Sequence, residues 1–171
     1  TVGSCERMNE RVREPGGFVL PRPPAERRFT TPSGKAELRV VPLPRLAVPA
    51  GRLVLMTIRS HDQFNTTLYS DDDRYRGIVG DRRVVLANAE DLAALGIAPE
   101  QRVDVTSHWT GARGEERRHL RAFRAVAYDM PRGCVAAYFP EANPLVPIGQ
   151  FAERSLTPAY KSIVVSLAPS V

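Results

Sequence analysis

Cysteine is nearly absent from this 171-residue chain, and lysine is as scarce. Cys5 and Cys134 are its only cysteines, and they form no C-x-x-C pair and have no histidine at metal spacing. Neither a zinc site nor a redox dithiol is indicated by this pattern, and it suits a reducing compartment. Cys134 lies in the apolar run Cys134-Val135-Ala136-Ala137-Tyr138 and reads as a buried small hydrophobe. No stretch approaches the roughly 20 apolar residues of a membrane helix. No signal-peptide core is present either, and the expected compartment is the cytoplasm. Gly-rich phosphate loops, Walker sequences and H-E-x-x-H are all missing. The chain opens Thr1-Val2-Gly3-Ser4-Cys5 rather than on methionine, and it reads as a piece of a longer polypeptide.

The net charge of +5 raises the question of nucleic acid. Its distribution argues against that partner. Residues 1–50 hold nine Lys/Arg against five Asp/Glu, and residues 51–171 hold fifteen against fourteen. A nucleic-acid binder concentrates charge on its binding face, whereas this body is nearly neutral. The twenty-two arginines against two lysines point to coding bias rather than to a surface.

Proline is plentiful, and it is concentrated at the front. Pro15, Pro21, Pro23, Pro24, Pro32, Pro42, Pro44 and Pro49 punctuate residues 1–50. Each removes a backbone donor and biases its predecessor away from helix, which predicts an extended arm or linker. Within it, Ala36–Val41 alternates as a strand does. Pro49-Ala50-Gly51 marks the expected boundary with a folded body over 51–171.

From residue 52 the chain breaks into short β-like runs. Leu53–Ile58 is almost continuously apolar, as for a strand buried on both faces. Arg83–Ala87 is a second strand. Asn88 then caps a helix of about two turns, with Asp91 placed for a capping box, Leu92 and Leu95 inward, and Gly96-Ile97 as its stop. Arg102–Thr106 and Leu120–Tyr128 form a hairpin around a loop that contains Gly111 and Gly114. Gly133–Phe139 and Ser162–Leu167 complete six strands. This pattern predicts a mainly β domain with short helices, closed as a small six-stranded barrel.

The candidate chemistry gathers after the first strand. An apolar run ends at Arg59 and opens into Ser60, His61, Gln63, Asn65 and Thr66, a dense set of hydrogen-bonding side chains. A guanidinium at a barrel rim suits pyrophosphate oxygens or a purine edge; it suits equally a salt bridge to Asp71, Asp72 or Asp73, which otherwise read as a solvated acidic loop. Asn88 serves as a cap, or its helix start receives an anion. Asn143 offers donor and acceptor to a heterocycle, or simply ends a turn before Pro144. Lys161, after Tyr160, faces phosphate or solvent. Ser60-His61 adjacency defines no nucleophile–base pair.

Taken in order, these motifs resemble the molybdopterin-dependent oxidoreductases of the formate dehydrogenase-like class. Met56-Thr57-Ile58-Arg59 with Ser60–Asn65 is similar to the loop that opens their C-terminal domain, which binds molybdopterin guanine dinucleotide. Asn88–Ile97, Phe139–Asn143 and Thr157–Lys161 resemble later segments of that domain. Pro15–Phe18 and Thr31–Ala36 resemble the stretch leading into it. Ile58 departs from the pattern, standing where the family usually has glycine.

The resemblance implies a double-psi β-barrel of the aspartate decarboxylase-like kind that anchors the dinucleotide of a bis-molybdopterin guanine dinucleotide carrying molybdenum or tungsten. Thr57, Arg59, Ser60, His61, Gln63 and Asn65 are expected on one side of it, with Asn88, Asn143, Tyr160 and Lys161 completing the set. The metal ligand, and any iron–sulfur cluster, belong to other parts of such enzymes. This domain by itself is expected to be catalytically inactive, its partners being the cofactor and the remaining domains. The rival expectation is a non-enzymatic barrel for interaction or substrate recognition. A self-processing decarboxylase needs a Gly-Ser site, and only Gly3-Ser4 in the arm offers one.

Overall fold

The structure is a computed structural model that describes residues 5–20, 22–43 and 45–171. Gly3-Ser4, Pro21 and Pro44 lie outside the described residues. The chain divides into two compact units, Thr1–Pro44 and Arg45–Val171.

The first unit carries one helical turn, Met8–Arg11, and a 3-10 turn, Pro23–Glu26, opened by two prolines. Arg11 stacks over the ring of Phe18, 4.0 Å from its centroid. The strand expected over Ala36–Val41 does not form: those residues take no ladder partner, and Leu38 and Val40 are fully exposed. Alternation alone does not hold a strand; its backbone groups need a neighbour.

The second unit is mainly β. Its six long strands are β1 (Leu53–Ile58), β2 (Val84–Ala87), β3 (Arg102–Gly111), β4 (Gly114–Ala127), β5 (Cys134–Tyr138) and β6 (Ile163–Pro169). They pair in a closed ring in the order β1-β6-β3-β4-β2-β5. β1 with β5 and β2 with β4 are parallel pairs, and the other neighbours run antiparallel. Closure leaves none of these strands with an open edge. The interior is filled by alternate residues of all six, among them Leu55, Val85, Val105, Ala125, Val135 and Val165, each at most 1% exposed.

Two expectations about the strands are corrected. β1 is not buried on both faces: Leu53, Leu55 and Thr57 point inward, whereas Met56 is 50% exposed. In a barrel only one face meets the core, so the apolar outer residues Val54, Met56 and Ile58 line an open groove instead. The hairpin is longer than expected, because β3 and β4 continue to the register pair Gly111↔Gly114. Its paired strands also slip register between Val103 and Val105, opposite Ala122 at φ 55°, which marks a bulge.

The helix after β2 spans Ala89–Ala94, and the side chain of Asn88 accepts the Glu90 N–H at 2.9 Å. Asp91 does not fold back to complete a capping box; it accepts from Gly133 N at 2.6 Å and Arg132 Nε at 3.2 Å. Gly96 takes φ 66°, and Ile97 N donates to Leu92 O at 2.9 Å, closing the helix as expected. Leu92 is buried, but Leu95 is 37% exposed at the C-cap, where the chain already turns away. Cys134 is half-buried rather than buried, because it lies on the outer face of β5 in the same groove as Met56.

Candidate functional site

The C-terminal ends of the parallel strands β1 and β5 lie side by side, with Ile58 in register with Tyr138. β6 runs antiparallel to β1, so its approach segment Tyr160-Lys161 arrives at the same end. Thr57 N donates to Tyr160 O at 3.2 Å, and the Lys161 ammonium returns a bond to the Thr57 carbonyl. A pocket of about 230 Å³ opens between these ends, walled by Thr57, Ile58, Arg59 and Asn65 on one side. Phe139, Tyr160 and Lys161 form the other side, where the two rings meet edge to face at 5.3 Å.

Two cations therefore face one small cavity. Arg59 reaches only the side-chain oxygen of Asn65, at 3.4 Å, and does not pair with Asp71, Asp72 or Asp73. Among the described residues, neither Arg59 nor Lys161 has a carboxylate partner. Burial, with the neighbouring charge of Arg59, holds the Lys161 ammonium below the usual lysine value. Neighbouring cations left without a counter-charge are what an anion completes.

The loop from Ser60 to Asn65 is tied down from behind. Gln63 Nε2 donates to the carbonyls of Asn65 at 2.8 Å and Phe139 at 2.5 Å, while its Oε1 accepts from Ser60 N at 3.2 Å. Ser60 is buried, its hydroxyl accepting from Arg82 at 2.6 Å. His61 points to the following loop, accepting from Arg74 and meeting the Tyr75 ring edge to face at 4.2 Å. Asn65 takes φ 53°, which an asparagine tolerates and which turns its amide into the pocket.

Asp73 corrects the reading of the acidic run as solvated. It is 1% exposed, accepting from Tyr138 Oη and Arg76 Nη1, each at 2.6 Å. Burial pulls its carboxyl upward, but those two donors and the Arg76 charge outweigh burial and leave it below the ordinary value. Arg76 also donates to the Arg59 carbonyl at 3.2 Å, so this buried group steadies the pocket's leading arginine.

Of the ten residues expected from sequence, Thr57, Arg59, Asn65, Tyr160 and Lys161 line the pocket. Ser60 and Gln63 stand behind it, and His61 faces away towards Tyr75. Asn143 follows β5 at the same end and is exposed on a short 3-10 turn, Asn143–Leu145. Asn88 is not with them. β2 runs antiparallel to β5, so Arg82 before β2 reaches the pocket end and Asn88 after it reaches the opposite end. There the second group of its side-chain amide donates to Met130 O at 2.7 Å. Sequence reasoning missed Arg82, Phe139 and Asp73. No sequence signal separates Arg82 from Arg83, the exposed arginine that directly precedes the apolar strand.

The domain is thus a closed six-stranded barrel with, at one end, a pocket whose two cations have no carboxylate partner among the described residues. The chain belongs to the family described as "Molydopterin dinucleotide binding domain", whose model matches residues 53–164. It is 50% identical, over 99% of its length, to a protein of Mycobacterium tuberculosis (strain ATCC 25618 / H37Rv) described as an uncharacterized oxidoreductase. A Mycobacterium bovis (strain ATCC BAA-935 / AF2122/97) oxidoreductase of the same description has the same identity and coverage. Protein YdeP of Escherichia coli (strain K12) is 40% identical over 95% of the chain. The chain spans 22% of the length of each of these relatives.

Proposed function

We propose that this chain is the dinucleotide-anchoring domain of a larger molybdopterin-dependent oxidoreductase of the formate dehydrogenase-like class. The observation that carries the reading is the unneutralised pair Arg59 and Lys161 in a pocket whose walls lie within the family match. In this reading the barrel is a double-psi barrel, residues 51–171 are the cofactor domain, and residues 1–50 are an arm from the preceding part of the enzyme. The cofactor is the guanine dinucleotide form, in a bis arrangement around molybdenum or tungsten, and the enzyme is cytoplasmic.

When bound, the metal–pterin group supplies the redox chemistry, and this chain's residues bind and orient its far end. Arg59 and Lys161 meet the pyrophosphate oxygens, Asn65 and Asn143 offer amides to the base, and Phe139 and Tyr160 supply a flat apolar wall. Ser60, His61 and Gln63 hold the loop that carries Arg59, and Asn88 acts as a structural cap. The groove of about 620 Å³ on the outer face, lined by Met56, Ile58, Tyr128 and Met130, is the face assigned to the enzyme's other domains.

Titration calorimetry with guanosine diphosphate, which carries the base and pyrophosphate of the dinucleotide, tests this reading. Saturable binding that weakens with salt, and that is about tenfold weaker in Arg59→Gln, is expected. A folded chain that gives no heat, or that takes cytidine diphosphate equally well, counts against the guanine assignment.

A further inference from the structure

Arg82 does not line the pocket and is buried: it is 7% exposed and lies just before β2. All three of its guanidinium nitrogens donate hydrogen bonds. Nε and Nη2 hold both oxygens of Glu141, at 2.6 and 3.2 Å. Nη1 donates to Ser60 Oγ at 2.6 Å, and Nη2 donates also to Gln63 Oε1 at 2.9 Å and to Phe139 O at 3.2 Å. The Tyr138 ring lies beneath, 4.6 Å from the guanidinium carbon.

These acceptors come from two loops, and both loops end in the pocket. Ser60 follows Arg59 directly, and Gln63 lies between Arg59 and Asn65. Phe139 is itself in the pocket wall, and Glu141 follows two residues later. Gln63 carries the restraint forward, because the amide that meets Arg82 through its oxygen meets Asn65 O and Phe139 O through its nitrogen. A buried ion pair is a weak source of stability, since desolvation offsets most of its attraction. What a planar fork with five donors offers is geometry, fixing several acceptors in one plane.

We propose that Arg82 is the positioning residue of the anion pocket, clamping the loop after β1 to the loop after β5 so that Arg59 and Asn65 are preformed for the ligand. This rests on the reading of the pocket as the dinucleotide site. A lysine here can meet Glu141, but one ammonium cannot serve Ser60, Gln63 and Phe139 as well.

The test measures guanosine diphosphate affinity by calorimetry, beside thermal melts, for the 171-residue chain and its variants. Arg82→Lys is expected to bind about tenfold more weakly, and the added loss from Arg59→Gln in that background is expected to be much smaller than in the wild type. Such non-additivity marks action through Arg59, which a merely destabilised barrel does not produce. Asp104→Asn, on β3 and bonded to neither loop, supplies a melting-temperature control and is expected to bind as the wild type does. Affinity in Arg82→Lys within about twofold of wild type, strictly additive losses, or an equal loss in Asp104→Asn overturns the proposal. If Arg82→Lys does not fold, Ser60→Ala decides: it leaves the Arg82–Glu141 pair intact and is expected to weaken binding about threefold, and unchanged binding overturns the proposal. When Arg59→Gln weakens binding and Arg82→Lys does not, only the positioning role fails. When the wild type does not bind, or Arg59→Gln binds as the wild type does, the reading of the pocket fails first and the positioning role fails with it.

Discussion

Lys161 donates its ammonium to the backbone carbonyl of Thr57, a residue 104 positions earlier in the chain. That bond joins the end of β1 to the approach of β6 and points a cation at the pocket that Arg59 enters from the other side. Its electrostatics set two properties against each other. Burial and Arg59 depress the Lys161 pKa, so the charged form is less favoured in the folded chain than in the unfolded one. The penalty is present at neutral pH and fades as pH rises through the depressed folded pKa, below the ordinary 10.5. Lys161→Met is therefore expected to melt no lower than the wild type near pH 7 while losing about tenfold or more in guanosine diphosphate affinity. Paired melts and titrations check this, and a large drop in melting temperature refutes it.

Acid stability should depend on Asp104. Its carboxylate accepts from Ser170 Oγ at 2.5 Å, from Ala122 N at 3.0 Å and from Arg121, which together lower its pKa to about 2. Ala122 is the bulge residue, so one carboxylate pins the register slip of the β3–β4 hairpin and the end of β6. A depressed folded pKa contributes stability above the unfolded value near 4, and this is lost as pH falls towards 2. Urea midpoints of wild type and Asp104→Asn are expected to differ at pH 7 and to converge near pH 2. Parallel pH curves would place the acid sensitivity elsewhere.

Most of the barrel was legible because strand order and turn chemistry are local. β1 was expected over Leu53–Ile58 and has those bounds, and the Asn88 cap and Gly96 stop stand where the pattern put them. Failures fell where the outcome is decided by a distant partner. Ala36–Val41 has strand alternation and no neighbour to pair with. Asp73 sits in an acidic run yet is buried, because Tyr138 arrives from β5 with a hydroxyl 65 positions later. Five of the ten expected site residues line one pocket, since they flank strand ends that the ring brings together. Arg82 was missed for the same reason that Asp73 was: its acceptors lie on two other segments.

Tyr138→Phe should expose the cost of that burial. The hydroxyl donates to Asp73 at 2.6 Å inside the apolar cluster of Val84, Leu86 and Ala136, and burial together with the Asp73 carboxylate raises the Tyr138 pKa well above the ordinary value. Removing the donor leaves Asp73 with Arg76 and the backbone of His61. A loss of about 1–3 kcal/mol in urea unfolding is expected, the usual cost of stranding a buried acceptor. A change below about 0.5 kcal/mol would mean that water reaches Asp73.

Trp109, the only tryptophan, supplies an optical check on the far end of the hairpin. Its ring lies over Gly111 so closely that a β-carbon there would fall 2.1 Å from the ring carbon Cη2, and one at Gly149 would fall 3.1 Å from the same atom. Gly111 is therefore required by the ring rather than by backbone angle, whereas a β-carbon at Gly149 needs the ring to give by only a few tenths of an ångström. Gly111→Ala must push the indole off both glycines and towards solvent. A red-shifted fluorescence maximum with increased iodide quenching is expected. The barrel core and the pocket at Arg59 do not touch the ring, so guanosine diphosphate binding should stay at the wild-type level. An unshifted emission spectrum would show that Trp109 does not pack over Gly111 in solution.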